Sequence, residues 1–106
     1  MLEGMHFGFE DGSRGWQAAN ADTVLPLNEW HHVCGTYDLV NGGRIYIDGV
    51  LDGSNPDTGG ITLDTFNVFI GNNSQNPDRF WDGLIDEAVI YNRALSQGEV
   101  AYLAGQ

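Results

Sequence analysis

Three histidines, one cysteine and two groupings of tryptophan with amide side chains are the residues whose types invite chemistry. His31 and His32 are adjacent, so on a strand they point to opposite faces and cannot grip one metal together. His6 belongs to a different candidate strand, and zinc needs about three or four converging donors. The pair therefore reads as structural, with the Trp30 ring and one histidine packed in the core. Cys34 sits in an apolar strand pattern; apart from the two histidines, no cation or helix N-terminus stands near to lower its pKa. It reads as a buried, inert thiol, and as the single cysteine it makes no disulfide within the chain. No Ser or Cys stands in a nucleophile elbow, and no Gly-rich loop opens a helix. Sugar recognition needs an exposed ring flanked by amides and carboxylates. Trp81, beside Asn72, Asn73 and Asn76, has that composition, as does Trp16 beside Gln17 and Asn20. The competing reading of each ring is packing across an apolar core.

The elements that must carry these residues follow from period and punctuation. Met5 to Phe9 alternates Met5, Phe7 and Phe9 against His6 and Gly8, the period of a half-buried strand. Asp11-Gly12-Ser13 and Arg14-Gly15 mark a turn, and Trp16 to Val24 holds one or two short strands ahead of Pro26. From Trp30 to Tyr37, alternation sets Trp30, His32, Cys34 and Thr36 against His31, Val33, Gly35 and Tyr37. Arg44 to Ile47 is the return strand. Asp48-Gly49 is a strong two-residue hairpin signal, because a type I′ turn needs positive φ at both positions. Val50-Leu51 opens the partner strand, and Asp52 to Gly60 reads as an exposed loop. Ile61 to Leu63 and Phe66 to Ile70 read as further strands, with an Asn-rich loop over 71–78. Phe80 to Tyr91 is the longest strand candidate, with Leu84, Asp86, Ala88 and Ile90 on one face. Ser96 and Glu99 have the spacing of a helix capping box, which predicts a short C-terminal helix.

Length and charge bound the rest. A chain of 106 residues makes one domain with a single core. Fifteen glycines and 11% aromatic residues suit an all-β protein with many turns. Fifteen acidic against four basic side chains give a net charge of -11. That field repels nucleic acid and anionic membranes, whose binding depends on Lys and Arg. No apolar run approaches the ~20 residues that cross a bilayer, and the first residues lack the pattern of a signal peptide.

Asn28-Glu29-Trp30-His31-His32-Val33, Thr36-Tyr37-Asp38 and Tyr46-Ile47-Asp48-Gly49 stand in an order that resembles the middle of a laminin-G-like, concanavalin A-like jelly roll. Ile70-Gly71, Asp82-Gly83-Leu84-Ile85-Asp86-Glu87 and Tyr91-Asn92-Arg93-Ala94-Leu95-Ser96 resemble its end. The resemblance covers Asn28 to the C-terminus strongly and Met5 to Val24 more weakly. It implies an antiparallel β-sandwich, usually extracellular, that binds carbohydrate or protein without catalysis. Members of that family carry more strands before the position of Met5. A shortened sandwich would expose sheet edges and an apolar face, which predicts completion by a homodimer.

The resemblance also raises two chemistries. Some concanavalin A-like enzymes hydrolyse β-glucans with two carboxyl groups about 5 Å apart, set at alternate positions on one strand face. Here that face offers Asp86 alone and Glu87 points away, so no catalytic residue is assigned. Calcium takes about six to eight oxygens, and many such jelly rolls hold it at the rim or back. Asp86 is the first ligand expected and Asp82 the second, with Glu10 and Asp11 contributing from the early turn. The alternatives are that Asp86 caps a turn or pairs with Arg93. Ligand binding is expected on rim loops 52–60 and 71–80.

Overall fold

The computed structural model describes residues 5–11, 14–26, 28–61, 70 and 83–105. Five strands form two antiparallel sheets: β1 (His6–Asp11) with β2 (Gly15–Asn20), and β3 (Val33–Asp38), β4 (Gly42–Ile47) and β5 (Val50–Asn55) in that order. One helix, α1 (Gln97–Leu103), follows. The architecture is a β-sandwich with a short C-terminal helix, as the sequence predicts.

The layers follow from alternation. The pairings Gly35↔Ile45 and Tyr37↔Gly43 put these four residues on one face of the three-stranded sheet. That face meets β1. A methyl group at Gly35 would overlap the Phe7 ring, and one at Gly43 would come within 2.6 Å of Phe9, so both glycines leave room for a phenyl ring. Phe9 is buried and lies 4.8 Å from the Tyr37 ring, centroid to centroid. The opposite face carries Cys34 and Tyr46, which pack with Leu95 and Val100 from the C-terminal segment. Burial raises the Cys34 thiol pKa, in keeping with an inert packing residue.

Local signals explain the turns. Asp48 and Gly49 have φ of 50° and 84°, the type I′ geometry, and Ile47 pairs directly with Val50. Ser96 accepts from the Glu99 backbone while the Glu99 carboxylate accepts from the Ser96 N–H, completing the capping box. Arg93 grips the same carboxylate with both terminal nitrogens, and its hydrogen bonds are the main reason the Glu99 pKa falls to about 2. Gln97 Nε2 donates to the Gly49 carbonyl at 2.5 Å, which ties the helix start to the hairpin turn.

Several expectations need correction. Trp30 is 67% exposed and not part of the core. The strand begins at Val33; just before it, Asp48 N–H donates to His32 O in the register of the β3–β4 ladder, while Asp48 Oδ1 accepts from His32 N in place of the backbone carbonyl. β4 starts at Gly42 and β5 runs on to Asn55, so the loop begins only at Pro56. Within that loop Asp57 is buried rather than exposed. Trp16 to Val24, read as one or two short strands, agrees with the single strand found, which starts at Gly15 and ends at Asn20. Residues 83–91 form no strand. Glu87 takes φ of 52°, which breaks the extended repeat, and Leu84 and Ile90 are exposed. The strands expected at Ile61 to Leu63 and Phe66 to Ile70 fall almost wholly outside the described residues.

Candidate functional site

The antiparallel register of β1 and β2 assembles a platform on their outer face. His6↔Asn20, Gly8↔Ala18 and Glu10↔Trp16 are cross-strand partners, so all six residues share one face. Trp16 is 50% exposed. Its six-membered ring crosses the strand directly over Gly8, where a methyl group would overlap it. The His6 ring meets it edge-on, 6.4 Å between centroids and 88° between planes. His6, Trp16, Gln17, Ala18 and Asn20 line a shallow depression of about 290 Å³. An apolar ring face bordered by an imidazole, an amide and a carboxylate can stack against a sugar while the polar groups bond its hydroxyls.

Of the two amides expected beside Trp16, Asn20 stays exposed on this face. Gln17 points inward, where its Oε1 accepts from Asn55 Nδ2 at 3.1 Å. The contributions of His6 and Glu10 were hidden in the sequence, because they come from pairing across strands rather than from neighbours in the chain. Trp81, Asn72, Asn73, Asn76 and Asp82 lie outside the described residues.

Asp86 is exposed, and its Oδ1 accepts from the Glu87 N–H at 2.8 Å; Arg93 pairs with Glu99 instead of Asp86. Glu10 and Asp11 occupy opposite faces of β1. Among the described residues no three His, Cys, Asp or Glu side chains group as metal ligands. Asp11 and Asp57 are nonetheless both buried, 1% and 2% exposed. They meet around Gly59, where an added Cβ would strike Asp11 Oδ2 and lie 3.1 Å from Asp57 Oδ1.

Neither His31 nor His32 is on a strand, so the alternation expected of the pair does not apply to them. His31 Nδ1 lies 2.7 Å from Asp48 Oδ2, and its Nε2 lies 3.3 Å from Glu29 Oε1. The hydrogen bond that His31 donates to Asp48 is the main cause that raises the His31 pKa, with burial opposing and Glu29 assisting. The same bond lowers the Asp48 pKa, with the His32 N–H assisting. Relative to ordinary values of 6.5 for His31 and 3.8 for Asp48, the pair stabilises the fold fully between those two pH values. Stability falls as pH rises through the raised His31 pKa, and falls again as pH drops through the lowered Asp48 pKa. His31→Gln should flatten the alkaline limb of a plot of melting temperature against pH. An unchanged limb would remove His31 from the account.

The described residues form two antiparallel sheets, with an aromatic platform on the outer face of the β1–β2 pair. The chain belongs to the concanavalin A-like lectin/glucanases superfamily, whose laminin-G-type model matches residues 3–101. It is 30% identical over 95 residues to the human (Homo sapiens) adhesion G-protein coupled receptor D1, covering 86% of this chain and 10% of the receptor. Its fold is similar to a crystal structure of an S-layer domain-containing protein (residues 221–444) from Clostridium thermocellum. That match has a TM-score of 0.59 at 22% identity and covers 98% of this chain and 64% of the other. The chain thus spans a tenth of the receptor and under two thirds of the solved structure.

Proposed function

We propose that this chain is a non-catalytic recognition module that binds glycan on the outer face of the β1–β2 sheet. The observation that carries the reading is the half-exposed Trp16 ring laid over Gly8, with His6, Glu10 and Asn20 on the same face. A large aromatic ring left on a sheet surface, rather than turned into the core, is the usual mark of a contact surface. The net charge of -11 and Glu10 beside the ring favour neutral or amino sugars over uronic or sulfated ones. The similarity to a receptor and to an S-layer domain-containing protein supports a place at the cell surface or outside the cell. Among the described residues no helix is long and apolar enough to cross a membrane. A glycan array carrying neutral, amino and acidic sugars tests the reading. Binding to neutral or amino sugars supports it, and silence across the array favours a protein ligand.

Self-association is a second reading, favoured by the run Leu84, Ile85, Val89 and Ile90, all exposed apolar side chains. Light scattering should then give the mass of a homodimer. A monomer mass at high micromolar concentration would remove it.

A further inference from the structure

We propose that Asn55, on β5, is the positioning residue of the β1–β2 platform, holding the β2 backbone that carries Trp16. Its effect on sugar affinity rests on the glycan reading; its effect on the place of the Trp16 ring does not. Among the described residues β2 pairs with a strand along one edge only, the edge taken by β1. Backbone groups on the other edge need partners from elsewhere. Asn55 supplies one. Its Nδ2 donates to Ala18 O at 3.1 Å, where a neighbouring strand would otherwise donate, and to Gln17 Oε1 at 3.1 Å. Its Oδ1 accepts from the Asp57 N–H at 2.9 Å. Together the three contacts select one orientation of the amide, because a flipped amide would set its oxygen against two acceptors.

These bonds fall where the platform is built. Ala18 shares the outer face with Trp16 and Asn20, which stand two residues away on either side. Gln17 carries the link further, since its Nε2 donates to the Arg14 carbonyl at 3.4 Å. The two amides thus connect the loop after β5 to the turn that precedes β2. Beyond the far end of β2 a separate tie holds the chain. The Asp52 carboxylate accepts from the Thr23 N–H and hydroxyl, each at 2.8 Å, and the Asp52 carbonyl accepts from the Asp22 N–H at 3.0 Å. Between the two ties β5 comes so close that a Cβ at Gly53 would strike the Asn20 carbonyl. Asn55 is the tie nearer to Trp16. Without its donors, the half of β2 that carries the indole is freed while Asp52 keeps the strand attached. The ring then loses its fixed place over Gly8, and a ligand must order it on binding, which lowers affinity.

Asn55→Asp tests the assignment. It keeps the size of the side chain and the oxygen that accepts from Asp57, but sets a charged acceptor against Gln17 Oε1 and Ala18 O. In the wild-type chain, the Gly8 α-hydrogen that a methyl group would replace points into the Trp16 ring, so its NMR resonance should stand away from the ordinary glycine position. At neutral pH that displacement should largely disappear in Asn55→Asp, and affinity for an array-identified sugar should fall about tenfold. Relative to wild type at the same pH, both should recover in part as the introduced carboxyl gains a proton it can donate. A general loss of structure would give no such recovery. Should the variant fail to fold, solvent exchange in the unmodified chain decides: the Asn55 side-chain amide hydrogens should exchange more slowly than those of Asn20, which is exposed. A Gly8 resonance unchanged in Asn55→Asp, or Asn55 hydrogens that exchange as fast as those of Asn20, would overturn the positioning role whatever the sugar result. A lost Gly8 displacement with unchanged sugar affinity would uphold that role and overturn the glycan reading instead.

Discussion

Trp16→Ala should reduce glycan affinity about thirtyfold or more, the effect of losing ~2 kcal/mol from a central aromatic anchor. The melting temperature should move little, because the ring sits on the outer face and is half exposed. Gly8→Ala gives a complementary result. It leaves the indole present but places a methyl group where the ring now lies, so affinity should fall although the aromatic side chain is intact. Trp16→Phe should recover part of the binding, since a phenyl ring offers a smaller stacking face. Equal affinity in wild type and Trp16→Ala, measured by calorimetry with an array-identified sugar, would exclude the platform.

The second large effect concerns the sandwich itself. Phe9→Ala should cost about 3–5 kcal/mol in urea unfolding, a large share of the ~5–15 kcal/mol that holds a domain of this size together. Phe9 is 4% exposed and fills the space over Gly43 against Tyr37. Neighbouring strands have little freedom to close the cavity its removal leaves. Val40→Ala, at a site 85% exposed on the β3–β4 turn, should change stability by less than about 0.5 kcal/mol. Similar losses in the two variants would mean that the two sheets do not share the core described.

Much of this architecture is legible in the chain because short-range chemistry dictates it. Asp48-Gly49 specifies a turn with two positive φ values, Ser96 and Glu99 specify a helix start, and the alternation of Phe7 and Phe9 specifies a buried face. What sequence alone does not convey is which segments meet. Trp30 looks like a core residue by type, yet Asp48 binds the backbone of His32 and the strand starts only after it. Residues 84–91 alternate well enough for a strand, but Glu87 turns to positive φ, and Leu84, Ile85, Val89 and Ile90 are exposed. Asp57 reads as a solvated loop acid. It is buried because Tyr37, Asn55 and Gly59 fold the loop back onto the hairpin. The platform was half legible: Trp16 and Asn20 stand out as an aromatic and an amide two turns of alternation apart, while His6 and Glu10 join only through the β1–β2 register.

The central claim is that recognition occurs on the outer face of β1 and β2. An amide NMR titration of the chain with an array-identified neutral or amino sugar tests it most directly. The account predicts shifts confined to residues 6–10 and 15–20, with the Trp16 indole N–H among the largest. Shifts gathered instead around the β4–β5 turn or α1, with residues 6–20 unmoved, would contradict it.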